Sequence, residues 1–158
     1  MKPNLGIPEN HLQVISSELN KLLSDEFILY TKSRNYHWNI EGSNFSEMHQ
    51  FYERQVNEIN DMIDDIAERI RTIGFYAEGR LEDYLKLTSL IEQPFTNSQN
   101  DQLKNLLGSH ETIINNLRRL ITLFADKHKD VGSSDFAVQL LEKHEKMAWM
   151  IRAHLSGH

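Results

Sequence analysis

The sequence predicts an all-α protein, a four-helix bundle with one long crossover that carries a short extra helix. Three observations predict it. Apolar residues recur every three or four positions in four separate runs, as they do in helices with one buried face. Prolines stand only at positions 3, 8 and 94, so beyond Pro8 nothing but glycine interrupts the chain as far as Gln93. The first and third joints are short, whereas the second runs from Phe75 to about Gln99.

The first run follows Pro8, whose missing N–H suits a first helical turn. Leu12, Ile15, Leu19, Leu23, Phe27 and Tyr30 form its stripe, which continues to His37 and ends before Gly42. The second run has Ser46 as its expected cap and Glu47 at its positive end. Met48, Tyr52, Val56, Ile59, Ile63, Ile66, Ile70 and Ile73 form the most regular stripe, with Gly74 as the stop. The second joint is long enough to return along the bundle, which makes the second and third helices parallel, the one-crossover topology of ferritin-like folds. Within it, residues 80–87 read as a short helix. The third run starts near Asn97–Asn100 and carries Leu103, Leu107, His110, Ile114, Leu117, Ile121 and Phe124. The fourth starts at Ser134 and Asp135 and carries Phe136, Leu140, His144, Met147, Ile151 and Leu155; Trp149 and Met150 are also expected in the core. Residues 1–158 thus read as a single domain, with about residues 1–7 as a flexible N-terminal tail.

Composition narrows the function. The 158 residues contain no cysteine, which removes disulfides, thiolate zinc sites and thiol nucleophiles. Uncharged stretches reach only eight residues, far short of a membrane span, and the first residues lack the apolar core of a signal peptide. The cytoplasm is the expected compartment. The net charge of −6 opposes tight binding to a phosphate backbone.

Four residues of the second run, His49, Glu53, Asp64 and Glu68, share a face turned roughly 120° from its apolar stripe. A solvated polar surface is the simplest reading of such a seam. Spacing adds a second. His49 and Asp64 lie about 22 Å apart along a helix axis, beyond the reach of one metal ion in one chain. A second, antiparallel copy of the helix about a two-fold axis near Asn57 or Glu58 would bring His49 to Asp64 and Glu68 of the other chain, giving two identical sites per dimer. His37 joins His49 if the first two helices are antiparallel neighbours. The His-Glu-x-x-His zinc helix is absent, and no Glu is followed three residues later by His, so the Glu-x-x-His metal site inside the bundle is absent too. His110 and His144, on apolar stripes, read as buried structural histidines.

Tyr36-His37-Trp38-Asn39, Asn44-Phe45, His49, Asp64 and Ala67-Glu68-Arg69-Ile70 resemble the Dps family, the DNA-protection-during-starvation mini-ferritins. His37, His49, Asp64 and Glu68 meet the signature His-x11-His-x14-Asp-x3-Glu, and the likeness runs from about residue 8 to 155. The resemblance implies a hollow homo-dodecamer with ferroxidase sites shared across two-fold interfaces. His37, His49 and Glu53 would come from one chain, and Asp64 and Glu68 from its neighbour. Glu53 stands where many members have Asp, so its reach allows it to ligate, to bridge, or to serve a weaker second iron. The implied chemistry is oxidation of Fe(II) by hydrogen peroxide or oxygen, with ferric mineral stored inside the shell. Trp38 would supply an electron and limit radical escape; its alternative reading is an ordinary core residue. Zinc suits the same donors and is expected as a surrogate.

The resemblance also implies acidic three-fold pores near Lys127–Asp135, where Asp130 and Asp135 match in type. The alternative makes Asp135 an N-terminal helix charge and Asp130 a turn residue. One feature departs from DNA-binding members: the first ten residues hold only Lys2 as a cation, and a shell of twelve such acidic chains repels DNA. The competing function is a non-catalytic shell or nucleoid-associated binding protein of the same fold.

Overall fold

The computed structural model describes residues 3–156. Of the expected tail, Met1 and Lys2 lie outside the described residues. Five α-helices follow one another: α1 Glu9–Asn39, α2 Phe45–Thr72, α3 Leu81–Leu87, α4 Gln99–Thr122 and α5 Val131–Leu155. A π-helical turn, Leu123–Lys127, extends α4. The fold is the expected ferritin-like bundle, with α3 inside the crossover.

Side-chain pairs fix the directions. Lys32 Nζ donates to Ser109 Oγ at 2.8 Å and Asn105 Nδ2 to the Tyr36 hydroxyl at 2.9 Å, so α1 and α4 are antiparallel. His37 against His49 makes α1 and α2 antiparallel. It follows that α2 and α4 run parallel. Asn44 Nδ2 donates to Gln99 Oε1 at 2.7 Å and ties their starts together.

Apolar stripes fill the centre. Ile15, Leu19, Leu22, Leu29, Tyr52, Ile59, Met62, Ile66, Leu106, Ile113, Leu117 and Phe124 are fully buried. Ile63, on the edge of its stripe, is only half-buried. Three expectations change. Helix α2 begins at Phe45, before Ser46, and Asn44 occupies the cap position without a side-chain cap bond. Helix α5 begins at Val131, with Asp130 as its cap, so Ser134 and Asp135 already lie inside the helix. Trp149 is 61% exposed, because it stands roughly 200° around the helix from the buried Met147. Ser98 caps α4, which starts where expected, and accepts from the Asp101 N–H at 3.4 Å.

The crossover is latched to α1 by buried charge. Asp25 accepts from Thr88 Oγ1 at 2.7 Å, from the Ser89 N–H at 2.6 Å and from Ser89 Oγ at 2.8 Å. Lys32 also donates to the Ile91 carbonyl at 2.8 Å. Burial lowers the Lys32 amine to a pKa of about 8. Phe27 stacks on Tyr84 of α3 at 4.4 Å, while Leu81 and Leu85 face outward. At the end of α2, Gly74 has φ +97°, and a Cβ there would lie 2.6 Å from Pro3, so both the turn and the close approach require glycine.

A second buried network links three helices. His144 Nε2 lies 2.6 Å from Glu26 Oε1, and His144 Nδ1 lies 2.9 Å from His110 Nδ1. All three residues are fully buried. Sequence reading missed Glu26, although its spacing of three from both Leu23 and Leu29 places it on the core stripe of α1.

Candidate metal centre

His37 stands in the last turn of α1, where backbone carbonyls lack helical N–H partners. His49 stands in the second turn of α2, directly opposite. The two rings tie themselves to each other's backbone: His49 Nδ1 lies 2.8 Å from the His37 carbonyl, and His37 Nδ1 lies 2.9 Å from the His49 carbonyl. A carbonyl only accepts, so each neutral ring carries its proton on Nδ1 and leaves its Nε2 lone pair free. Anchoring one imidazole nitrogen to a carbonyl is how metal-binding histidines are oriented. The rings stack with centroids 3.8 Å apart, and Phe45 stacks on the outer face of His49 at 5.1 Å. His37 is buried and His49 half-buried.

Glu53 lies one turn beyond His49 and is exposed. Asp64 and Glu68, also exposed, lie farther along the same helix, four to five turns from His49. Asp64 borders an open groove with Asn60, Asp61, Asp65 and Lys143. The structure therefore brings together His37 and His49 and leaves the two downstream carboxylates apart from them. Among the described residues, no three His, Asp or Glu side chains of one chain gather closely enough to hold a metal. Trp38 is 65% exposed, not a core residue, and the Arg34 guanidinium lies 5.3 Å from its ring.

The two other acidic candidates differ from each other. Asp130 is buried; it accepts from the Ser133 N–H at 3.0 Å and Ser133 Oγ at 2.5 Å, and pairs with Arg69 at 3.5 Å. That carboxylate is occupied in holding the start of α5 against α2. A Cβ at Gly132 would lie 3.1 Å from Arg69 Nη2, so glycine gives the guanidinium its room. Asp135 is exposed and accepts from Gln139 at 2.9 Å. Nothing in the motif spacing indicated the Arg69–Asp130–Ser133 clamp.

No helix among the described residues is long and apolar enough to cross a membrane. The ferritin-like domain family matches residues 16–157. An uncharacterised low temperature-induced protein of Nostoc sp. is 36% identical over 98% of this chain and 87% of its own length. The DNA protection during starvation protein of Helicobacter pylori is 32% identical over 87% of this chain and 96% of its own. Among solved structures, the Dps protein of Vibrio cholerae, described as one of the ferritin-like diiron-carboxylate proteins, superposes with a TM-score of 0.91 at 28% identity, covering 98% of both chains. With a ferritin-like domain along most of its length and a Dps relative at this identity, the chain belongs to the Dps family.

Proposed function

We propose that this protein oxidises Fe(II) with hydrogen peroxide, or with oxygen, and stores the ferric product inside a closed shell of twelve identical chains. One observation carries the reading. Two histidines whose Nδ1 atoms are tied to backbone carbonyls meet at one end of α2, while Asp64 and Glu68 stand about 22 Å and about 28 Å from His49 along the same helix. An antiparallel second copy of α2 joins the two half-sites. His37 and His49 of one chain, with Asp64 and Glu68 of the next, then form a mixed imidazole–carboxylate set suited to iron. Zinc fits the same donors and competes as a surrogate. Glu53, beside His49, reaches the same space and ligates or bridges.

Iron is the substrate. Two Fe(II) ions each give one electron; the peroxide O–O bond breaks, takes up both electrons and two protons, and yields two waters. The two anchored imidazoles hold Fe(II) without needing to lose a proton. Trp38, exposed beside His37, is placed to give an electron when peroxide meets a single iron, which suppresses escape of a radical. Asp135 is the pore carboxylate of this reading, while Asp130 serves the clamp. The acidic charge argues against direct DNA binding, and the cytoplasm is the proposed compartment. Anaerobic protein is loaded with Fe(II), hydrogen peroxide is added, and ferric absorbance is followed. Oxidation much faster than in buffer, with mineral kept in solution, is expected. An intact shell that leaves the rate unchanged would identify a non-catalytic assembly instead.

A further inference from the structure

At the opposite end of α1 from His37, about 39 Å away along the helix, lies a second pair of facing imidazoles. His11 stands in the first turn of α1, and His128 follows the π-helical turn that closes α4. Their ring centroids are 4.9 Å apart and the rings are nearly perpendicular. We propose that His11 and His128 form a separate binding site for a borderline divalent transition-metal cation such as Zn2+.

Four observations support the site. Two imidazoles that each give one nitrogen to an ion at about 2.0–2.1 Å place their centroids roughly 4.5–5.2 Å apart for cis to tetrahedral angles. The observed spacing falls within that interval. His11 Nδ1 lies 3.4 Å from the His128 carbonyl, which anchors the ring and leaves Nε2 as the free lone pair. His128 is only 4% exposed, yet neither ring nitrogen has a hydrogen-bond partner among the described residues. Buried polar atoms are almost always satisfied, so an orphaned imidazole calls for a bound water or ion. Finally, His11 is half-buried, which gives an ion a route in and leaves room for waters to complete its shell.

The donor chemistry selects the ion. Imidazole nitrogens favour zinc, nickel, copper and cobalt over magnesium or calcium, which want oxygen. A bound cation would fasten the start of α1 to the turn between α4 and α5.

The test uses the assembled protein carrying His37→Ala and His49→Ala, so that among the described residues the only other imidazole pair left is the fully buried His110–His144. Zinc is titrated calorimetrically, and thermal unfolding is followed with and without zinc. One zinc per chain and an upward shift of the unfolding midpoint are expected. Adding His11→Ala should weaken binding at least tenfold and remove the shift. His11 is half-exposed in a first turn, so this variant keeps the fold, and His128→Gln gives a second, independent probe. Absence of the zinc in the His37/His49 variant, or affinity unchanged by His11→Ala, overturns the site. Neither outcome bears on iron oxidation, which uses the other end of the helix.

Discussion

His37 and His49 meet where α1 turns into α2; His110 and His144 meet inside the bundle, with centroids 5.2 Å apart. The residue type is the same and the consequences differ. In the first pair each Nδ1 is held by a backbone carbonyl, which leaves each Nε2 with its lone pair. In the second, His144 spends both nitrogens on His110 and Glu26, at full burial. What a histidine can do is decided by which of its nitrogens the fold has already used. On the proposed function the first pair receives iron at little cost to stability, whereas the second holds three helices together.

That contrast can be broken most directly at Glu26. Glu26→Ala leaves the His144 Nε2 side buried without its partner and should cost about 3–5 kcal/mol in urea unfolding at fixed protein concentration. His49→Ala should change unfolding by less than about 1 kcal/mol. Equal losses at the two sites would erase the distinction.

Activity should reverse the order. His49→Ala and Asp64→Ala should each slow peroxide-driven iron oxidation by about 100-fold or more, with helix content by circular dichroism intact, and Glu26→Gln should not. Shells assembled from both single mutants should regain part of the rate, because some interfaces then pair an intact imidazole half with an intact carboxylate half. No recovery in verified mixed shells would place each site within one chain.

Acid sharpens the comparison further. Burial, reinforced by His144 and Lys32, lowers the His110 pKa well below the usual histidine value. The unfolded chain takes up this proton below about pH 6.5, and the folded chain only at lower pH. Stability is therefore full above that point and falls as pH drops toward the folded value, by up to about 1.4 kcal/mol per unit for this group. His110→Leu should flatten the slope of unfolding free energy between about pH 6.5 and 5. An unchanged slope would show that other groups carry the acid sensitivity.

The smallest effect separates the two acids at the start of α5. Asp130→Ala removes a helix cap and should cost about 1–2 kcal/mol. Asp135→Asn should leave stability unchanged within about 0.5 kcal/mol and slow iron loading at low ionic strength only. Loading that ignores both the substitution and the salt would send iron through another route.

Most of the bundle was legible because period, caps and joint lengths are local. The stripe from Met48 to Ile73, the start of α4 near Asn97–Asn100 and the parallel α2–α4 arrangement follow from period and joint length. The spacing of His37, His49, Asp64 and Glu68 carried the family likeness, and the axial distance carried the idea of a second copy. What stayed hidden depends on tertiary neighbours. The reciprocal His37–His49 bonds need two helix ends to meet at the right height. The role of Asp130 rests on Arg69, far away in sequence. Trp149 was misread because its hydrophobicity was weighed ahead of its angle on the helix.

The latch between α1 and the crossover bears on the order of folding. Helices α1 and α2, like α4 and α5, are joined by short turns, so each hairpin closes a small loop and forms rapidly. Asp25 with Ser89, Lys32 with Ser109, and Glu26 with His144 join residues much farther apart in sequence. The Lys32–Ser109 and Glu26–His144 bonds form only when the two hairpins dock, and the Asp25–Ser89 bonds when the crossover closes onto α1. Substitutions at Asp25 should then speed unfolding while leaving the folding rate nearly unchanged, a φ-value near zero in stopped-flow measurements. A φ-value near one would mean that the crossover is fastened before the hairpins meet. The buried charges of α1 thus act as a late clasp, governing how long an assembled bundle lasts more than how fast it forms.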